Sequence, residues 1–312
     1  MIFRLTMQLK RFFINLAVFL LISVSVAASE IGSATNPLKI SMIPYANNEK
    51  QAMQNIKPLF DTIAKEFEIN IKPSYGKSYN AVIESFCNQQ IQLALFDTYT
   101  YGEVKKKCSN LVEILAAEIK SGSSSFYSGI FVHKSSNLNT PIDLIGKSLA
   151  LGGQYSTSSF NFPIAMLIKA GVDPVNDFEH IFVTGSHAAS INALKTGKAI
   201  AAGVSFGAWL IAVRRGSINP LYFKPLAKSS PIPHNPIVMN TNLPTRLKTN
   251  LRDIFRIIHA KLNSDELVDL RGTKINRFEV DINGQVYINS LKKLDCVTET
   301  LRKSILYKAT QN

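Results

Sequence analysis

Cysteine, tryptophan and acidic residues are all scarce in this chain, and the shortages remove whole classes of function. There are 3 cysteines, with no C-x-x-C pair and no histidine at ligand spacing, so the pattern of a structural zinc site is missing and no metal or cofactor is expected. Pairing within one chain leaves at least one of Cys87, Cys108 and Cys296 over. A bridge from Cys87 to Cys108, joining the ends of two neighbouring helices, and three unpaired thiols are both open at this stage. No G-x-S-x-G elbow marks a nucleophilic serine. A membrane span needs roughly 20 apolar residues; the run from Phe12 to Val26 has 15. Basic residues outnumber acidic ones 35 to 22, which favours anionic partners. Yet the densest run, Lys105-Lys106-Lys107, has no interleaved aromatics and reads as a solvated helix end, so nucleic acid is not expected. Neither an internal repeat nor a low-complexity tract is present.

What the chain does have begins with a leader. Residues 1–28 have the layout of a secretory signal: basic Arg4, Lys10 and Arg11, the apolar run, then small residues at Ser25, Ala27 and Ala28. The expectation is a soluble protein exported to a periplasm. Without those three basic residues the formal charge falls from +13 to +10. A hydrophobic content of 46% over 312 residues suits roughly two domains.

Strand-like Leu38 to Ile43, a helical pattern through Phe67, a strand near Ile69 to Ile71, a helix over 79–88, a strand Ile91 to Phe96 and a helix opening near Thr98 spell βαβαβ. That order predicts a mostly parallel sheet covered on both faces. Ligands bind such sheets beyond the carboxyl ends of the strands, where Tyr45, Tyr79, Phe96 and Asp97 fall. After the serine-rich Ser121 to Ser125, the extended run Phe126 to Val132 suggests a crossing into a second lobe. There the pattern repeats, with strands Lys147 to Leu151, Ile181 to Val183 and Ala199 to Phe206 and helices reaching Ala170 and Lys195. The segment Ser230 to Val238 is too rich in proline for a central strand and fits a return crossing. A helix over Leu251 to Leu262 and a final amphipathic helix over 287–307 complete the chain.

Chemistry concentrates at two helix starts in the second half. Tyr155-Ser156-Thr157-Ser158-Ser159 follows a strand and opens a helix, where unpaired amides and partial positive charge suit a tetrahedral oxyanion. Such a run also serves as an ordinary N-cap. Thr184-Gly185-Ser186-His187 repeats the arrangement one unit later.

On Tyr155-Ser156-Thr157-Ser158, Gly185-Ser186-His187, Ser78-Tyr79, Phe96 and the crossing Ile232 to Val238, the chain resembles the periplasmic phosphate-, phosphite- and phosphonate-binding proteins of ABC importers, within the type II solute-binding proteins. The resemblance implies a two-lobed α/β fold, each lobe a mostly parallel sheet flanked by helices, with two crossing strands as hinge. Residues 29–127 with 236–312 would form one lobe and 128–235 the other. It further implies a monomer without cofactor that traps a small anionic ligand between the lobes and passes it to a membrane permease. Ser156, Thr157, Ser158 and His187 would donate hydrogen bonds to the oxyanion, and Tyr45, Tyr79, Phe96 and Tyr127 would wall the cleft. Asp97 and Asn235 would face whatever is attached to the head group.

Departures from the family pattern narrow the ligand. Asn235 stands where binders of aminoalkylphosphonates carry an acid, and a second acid is missing from Val204 to Ala208. A buried ammonium would lack its counter-charge, so a small phosphonate, phosphite or phosphate is favoured. Asp97 replaces a family glycine and serves either as a helix cap or as a ligand contact. Other readings keep the fold with a sulfonate or vitamin-like cargo or a sensing role; a remote one is a serine hydrolase using Ser156 or Ser158 with His187.

Overall fold

The computed structural model describes residues 30–44 and 48–311. The expected signal segment and Tyr45 lie outside the described residues.

The first lobe is entered through β1 (Leu38–Met42), α1 (Glu49–Phe67), β2 (Ile71–Tyr75), α2 (Tyr79–Cys87), β3 (Leu93–Leu95), α3 (Thr98–Cys108) and β4 (Val112–Ile119). The short β5 (Ser125–Phe126) leads to β6 (Ser128–His133) and β7 (Ser148–Gly152), then a π turn at Thr157–Asn161 running into α4 (Phe162–Lys169). Next come β8 (His180–Gly185), α5 (His187–Lys195), β9 (Ala201–Ser205), α6 (Phe206–Arg214) and β10 (Phe223–Lys228). The chain returns through β11 (Ile232–Pro233) and β12 (Pro236–Asn240) to α7 (Thr245–Lys261), β13 (Arg277–Glu279), α8 (Gln285–Leu291) and α9 (Glu299–Ala309).

One sheet has the order β13-β4-β12-β3-β1-β2 and the other β10-β6-β9-β7-β8, while β5 and β11 pair where the two crossings run side by side. Helix periodicity explains the layers. In α1, Ala52, Ile56, Leu59, Phe60 and Ile63 form the buried stripe; in α7, Leu247, Leu251, Ile254, Phe255 and Ile258 do. Both stripes share one core with Leu38, Ile40 and Met42 of β1. In the second lobe Leu149, Leu151 and Ile181 pack with Phe160 and Leu167.

Both sheets are mixed, which corrects the mostly parallel expectation. The βα strands are parallel, β1 with β2 and β3, and β7 with β8 and β9. The strands beside the crossings run against their neighbours: β12 is antiparallel to β3 and β4, and β6 to β9 and β10. The proline-rich return also holds a surprise, because β12 is central. Pro236 is its first residue, a strand position where proline is tolerated. The expected final helix is broken at Leu294 to Val297, and Thr298 caps a new one by accepting the Leu301 N–H. Leu294, Val297 and Ile305 join the second lobe's core, so the C-terminal segment assigned to the first lobe packs on the other. Cys87 and Cys108 are bonded and Cys296 is exposed. No helix among the described residues is long and apolar enough to cross a membrane.

A buried ionic cluster lies just past β4. Lys120 Nζ is 2.6 Å from both Glu118 Oε2 and Asp269 Oδ2, and those acids are 1% and 0% exposed. Burial raises the pKa of Glu118, whereas the Lys120 and Arg271 charges outweigh burial at Asp269 and hold its carboxyl down at about 2.

Candidate functional site

The hydroxyl run after β7 folds as a widened helix start. Ser156 is the cap: its Oγ accepts the Ser159 N–H at 3.3 Å and the Ser159 hydroxyl at 2.7 Å. Asn161 Nδ2 donates to the carbonyls of Gln154 and Ser156. Ser128 Oγ, from β6, donates to the Ser158 carbonyl at 2.8 Å. Gly152 permits this packing, since a Cβ there would stand 2.0 Å from Ser159 Oγ. Two of the three seat hydroxyls therefore have fixed roles: Ser156 holds the turn, while Thr157 faces the other lobe. The Ser158 hydroxyl has no protein partner among the described residues, although the residue is only 5% exposed.

Asp97 and the start of α3 clasp this seat from the first lobe. Asp97 Oδ1 accepts the Thr100 N–H at 2.9 Å and the Thr100 hydroxyl, a capping box. Its Oδ2 accepts the Thr157 N–H at 3.0 Å. The Tyr99 N–H donates to Thr157 Oγ1 at 2.8 Å. Cap and site contact are thus the same residue, with one carboxylate oxygen for each. Burial raises the Asp97 pKa, opposed by the bonds from Thr100 and Thr157.

His187 is the first residue of α5, whose cap Ser186 accepts the Ala189 N–H. His187 Nδ1 accepts the Ser205 N–H at 3.2 Å, so the neutral ring carries its proton on Nε2 as a donor. Burial, and then the Arg271 charge, lower its pKa from 6.5 to about 3. The seat and this donor are neighbours because β7 and β8 are parallel and register Gly152 against Gly185.

The aromatic wall differs in part from expectation. Tyr79 stacks on Tyr155 at 6.1 Å between ring centroids, and Tyr155 leans on Tyr99 at 6.3 Å. Tyr155 was legible only as part of the hydroxyl motif. Burial, and then the Asp97 charge, raise the Tyr79 pKa, keeping its phenol protonated. Phe96 is 0% exposed and packs edge-on against Phe86, so it belongs to the core rather than the cleft. Tyr127 lies under the Lys228 ammonium, 3.8 Å from the ring centroid. Asn235 is half-buried between β11 and β12.

Arg271 carries no signal in the sequence, because an Asp-x-Arg pair in a polar loop has no distinctive spacing. Its charge acts on His187, Tyr79 and His234. It also lines a cavity of about 440 Å³ between the N-terminal turns of α1 and the helices α5 and α6. No group of three His, Cys, Asp or Glu side chains at metal-binding distance occurs among the described residues.

The half-buried His187 ring and the buried His234 ring make stability depend on pH. His234, on the return crossing, is lowered from 6.5 to about 3 by burial, then by Lys120 and Arg271. Between those values the unfolded chain binds protons that the folded chain refuses. Stability present above about pH 6.5 is therefore lost as pH falls, by up to about 1.4 kcal/mol per pH unit for each ring. His234→Asn should flatten the drop in urea midpoint between about pH 6.5 and pH 5; an undiminished drop would remove His234 from that account.

Comparison with known proteins gives the same fold. PhnD1 from Prochlorococcus marinus, in complex with methylphosphonate, superposes with a TM-score of 0.71 at 19% identity, over 82% of this chain and 96% of its own. A binding component of a Pseudomonas aeruginosa phosphonate transporter gives 0.68 at 17%, over 88% and 95%. A Xanthomonas citri protein bound to ATP gives 0.66 at 15%, over 88% and 98%. A family described as the periplasmic substrate-binding protein of phosphonate ABC transporters matches residues 40–279. With two helix-flanked mixed sheets, a hydroxyl-rich helix start facing the junction between them and that match across most of its length, the chain belongs to the phosphonate substrate-binding family of ABC transporters, whose members capture a solute and deliver it to the transporter.

Proposed function

We propose that this protein is exported by its leader and, as a soluble monomer, captures a small phosphonate-, phosphite- or phosphate-type oxyanion for a membrane permease. The observation that carries this reading is the juxtaposition of the Ser158 hydroxyl, which has no protein partner among the described residues, with the His187 Nε2–H at adjacent strand ends. Charge-assisted hydrogen bonds from such donors are the stronger class, and Tyr79 and Tyr155 shield them from water. No acid other than Asp97 is part of this arrangement, which disfavours an aminoalkylphosphonate. A hydrolase reading has little support. His187 Nδ1 is taken by the Ser205 amide, so the protonated Nε2 has no lone pair to accept a serine proton.

Calorimetry with methylphosphonate, phosphite, phosphate, sulfate and an aminoalkylphosphonate tests the reading. Micromolar or tighter binding of at least one of the first three is expected, with the aminoalkylphosphonate weaker. Ser158→Ala should weaken the preferred anion by about tenfold to a hundredfold, as loss of one hydrogen bond to a charged group implies. Absence of heat and of thermal stabilisation with every compound would sink the oxyanion assignment.

A further inference from the structure

The cavity beside His187 is larger than a bare phosphoryl group requires. At about 440 Å³ it falls within the range of pockets that hold whole organic ligands. Its shape follows from two helices that start together. α5 begins with His187 and α6 with Phe206, joined at that end by the bond from the Ser205 amide to His187. Ile191 and Ile211 line the floor, and the far ends carry Lys195 and Arg215. His187 and Lys195 are eight residues apart on one helix face, about 12 Å of rise.

The charge of the lining is one-sided. Lys195, Arg215 and, from the opposite lobe, Arg271 line the cavity, and no Asp or Glu does. Neither Lys195 nor Arg215 makes an ion pair among the described residues. Basic residues at helix C-termini also offset the helix dipole, but that function does not require both to converge on one acid-free cavity with an apolar floor. A cleft lined by one sign of charge concentrates counter-charged solutes.

We infer that the groove between α5 and α6 is a second subsite that takes the anionic tail of an elongated ligand: an organic phosphonate or phosphate ester with a second negative group several carbon atoms from the head. The tail rests on Ile191 and Ile211, and its terminal anion meets Lys195 and Arg215. This rests on the head-group reading proposed above. It predicts that a second negative group at the far end of the tail adds affinity to that of the oxyanion head.

The test compares 6-phosphonohexanoate with hexylphosphonate, which has the same head and a neutral tail, and adds octanedioate as a probe without a phosphoryl group. Wild-type protein should prefer 6-phosphonohexanoate over hexylphosphonate at least tenfold. In Lys195→Gln/Arg215→Gln that ratio should fall to near one; both positions are exposed, so the fold should persist, as circular dichroism would verify. A ratio near one in the wild type, or an unchanged ratio in the variant, overturns the subsite. If octanedioate binds and the variant loses it while neither these phosphonates nor methylphosphonate binds, the head-group reading fails while the basic groove stands. If none of the three binds while methylphosphonate does, the subsite falls and the head-group reading stands; if methylphosphonate also gives no heat, both fall.

Discussion

Asp97→Asn should raise the affinity for methylphosphonate at least tenfold, about 1.4 kcal/mol. Asp97 Oδ2 accepts the Thr157 N–H, one of the amides that would otherwise point at an oxyanion. With its residue only 7% exposed, the carboxylate opposes an incoming phosphonate as a like charge with little water to screen it. Asparagine keeps an acceptor for the Thr100 amide and so preserves the cap of α3, while removing the charge. A pH signature accompanies the change. The Asp97 pKa is already raised by burial, and a bound anion raises it further, so wild-type binding takes up a proton. Wild-type affinity should therefore gain on the variant's as pH falls through the raised Asp97 value. Calorimetry in buffers of different ionisation enthalpy would detect the proton directly. Weaker binding by Asp97→Asn would mean instead that a protonated Asp97 donates to the ligand.

Lys120→Met should cost about 3–5 kcal/mol of folding stability, the usual penalty for stranding a buried charge. Lys120 stands between Glu118 and Asp269, both fully enclosed. The two acids are not equally dependent on it. Asp269 Oδ1 also accepts the amides of Arg271 and Thr273, whereas Glu118 Oε2 has the lysine ion pair but no hydrogen bond of good geometry among the described residues. Glu118 is therefore the group that takes up a proton when the lysine is lost, in keeping with its raised pKa. Adding Glu118→Gln to Lys120→Met should recover at least half of the loss. Urea midpoints measure both steps, and a single variant within about 1 kcal/mol of wild type would show that the cluster holds little. Because Asp269 anchors the loop that carries Arg271 to the cavity, ligand affinity should fall along with stability.

Much of the architecture was legible because its signals are local. The helices over α1, α2, α5 and α7 have apolar stripes at helical spacing, and a serine or asparagine accepts an N–H at the start of α1, α2 and α5. β4 is not legible in the sequence: Val-Glu-Ile-Leu-Ala-Ala-Glu-Ile suits a helix as well as a strand, and only its partners β12 and β13 select the strand. α6, which walls the cavity, is hidden in the sequence for a related reason. Phe206 to Arg214 is almost uniformly apolar and continues the strand before it without a break in hydropathy; the Ser205 cap on the Ala208 amide makes the turn. Phe96 lies in the core and not in the expected cleft wall because a strand end near a cleft holds both wall and core positions, and the side-chain direction decides between them.

The sequence by itself determined the family, the hydroxyl-rich helix start and the donor His187, since each is written in contiguous residues whose local geometry follows from their own caps and strands. Tertiary structure decided what those donors face. Asp97 is 60 residues from Thr157 along the chain, and Arg271 comes from a loop beyond both crossings. Where the carboxylate meets the amide, and where three cations line one cavity, depends on how two separately built sheets close on each other. Long-range electrostatics of that kind has no period or spacing in the chain from which it could be read.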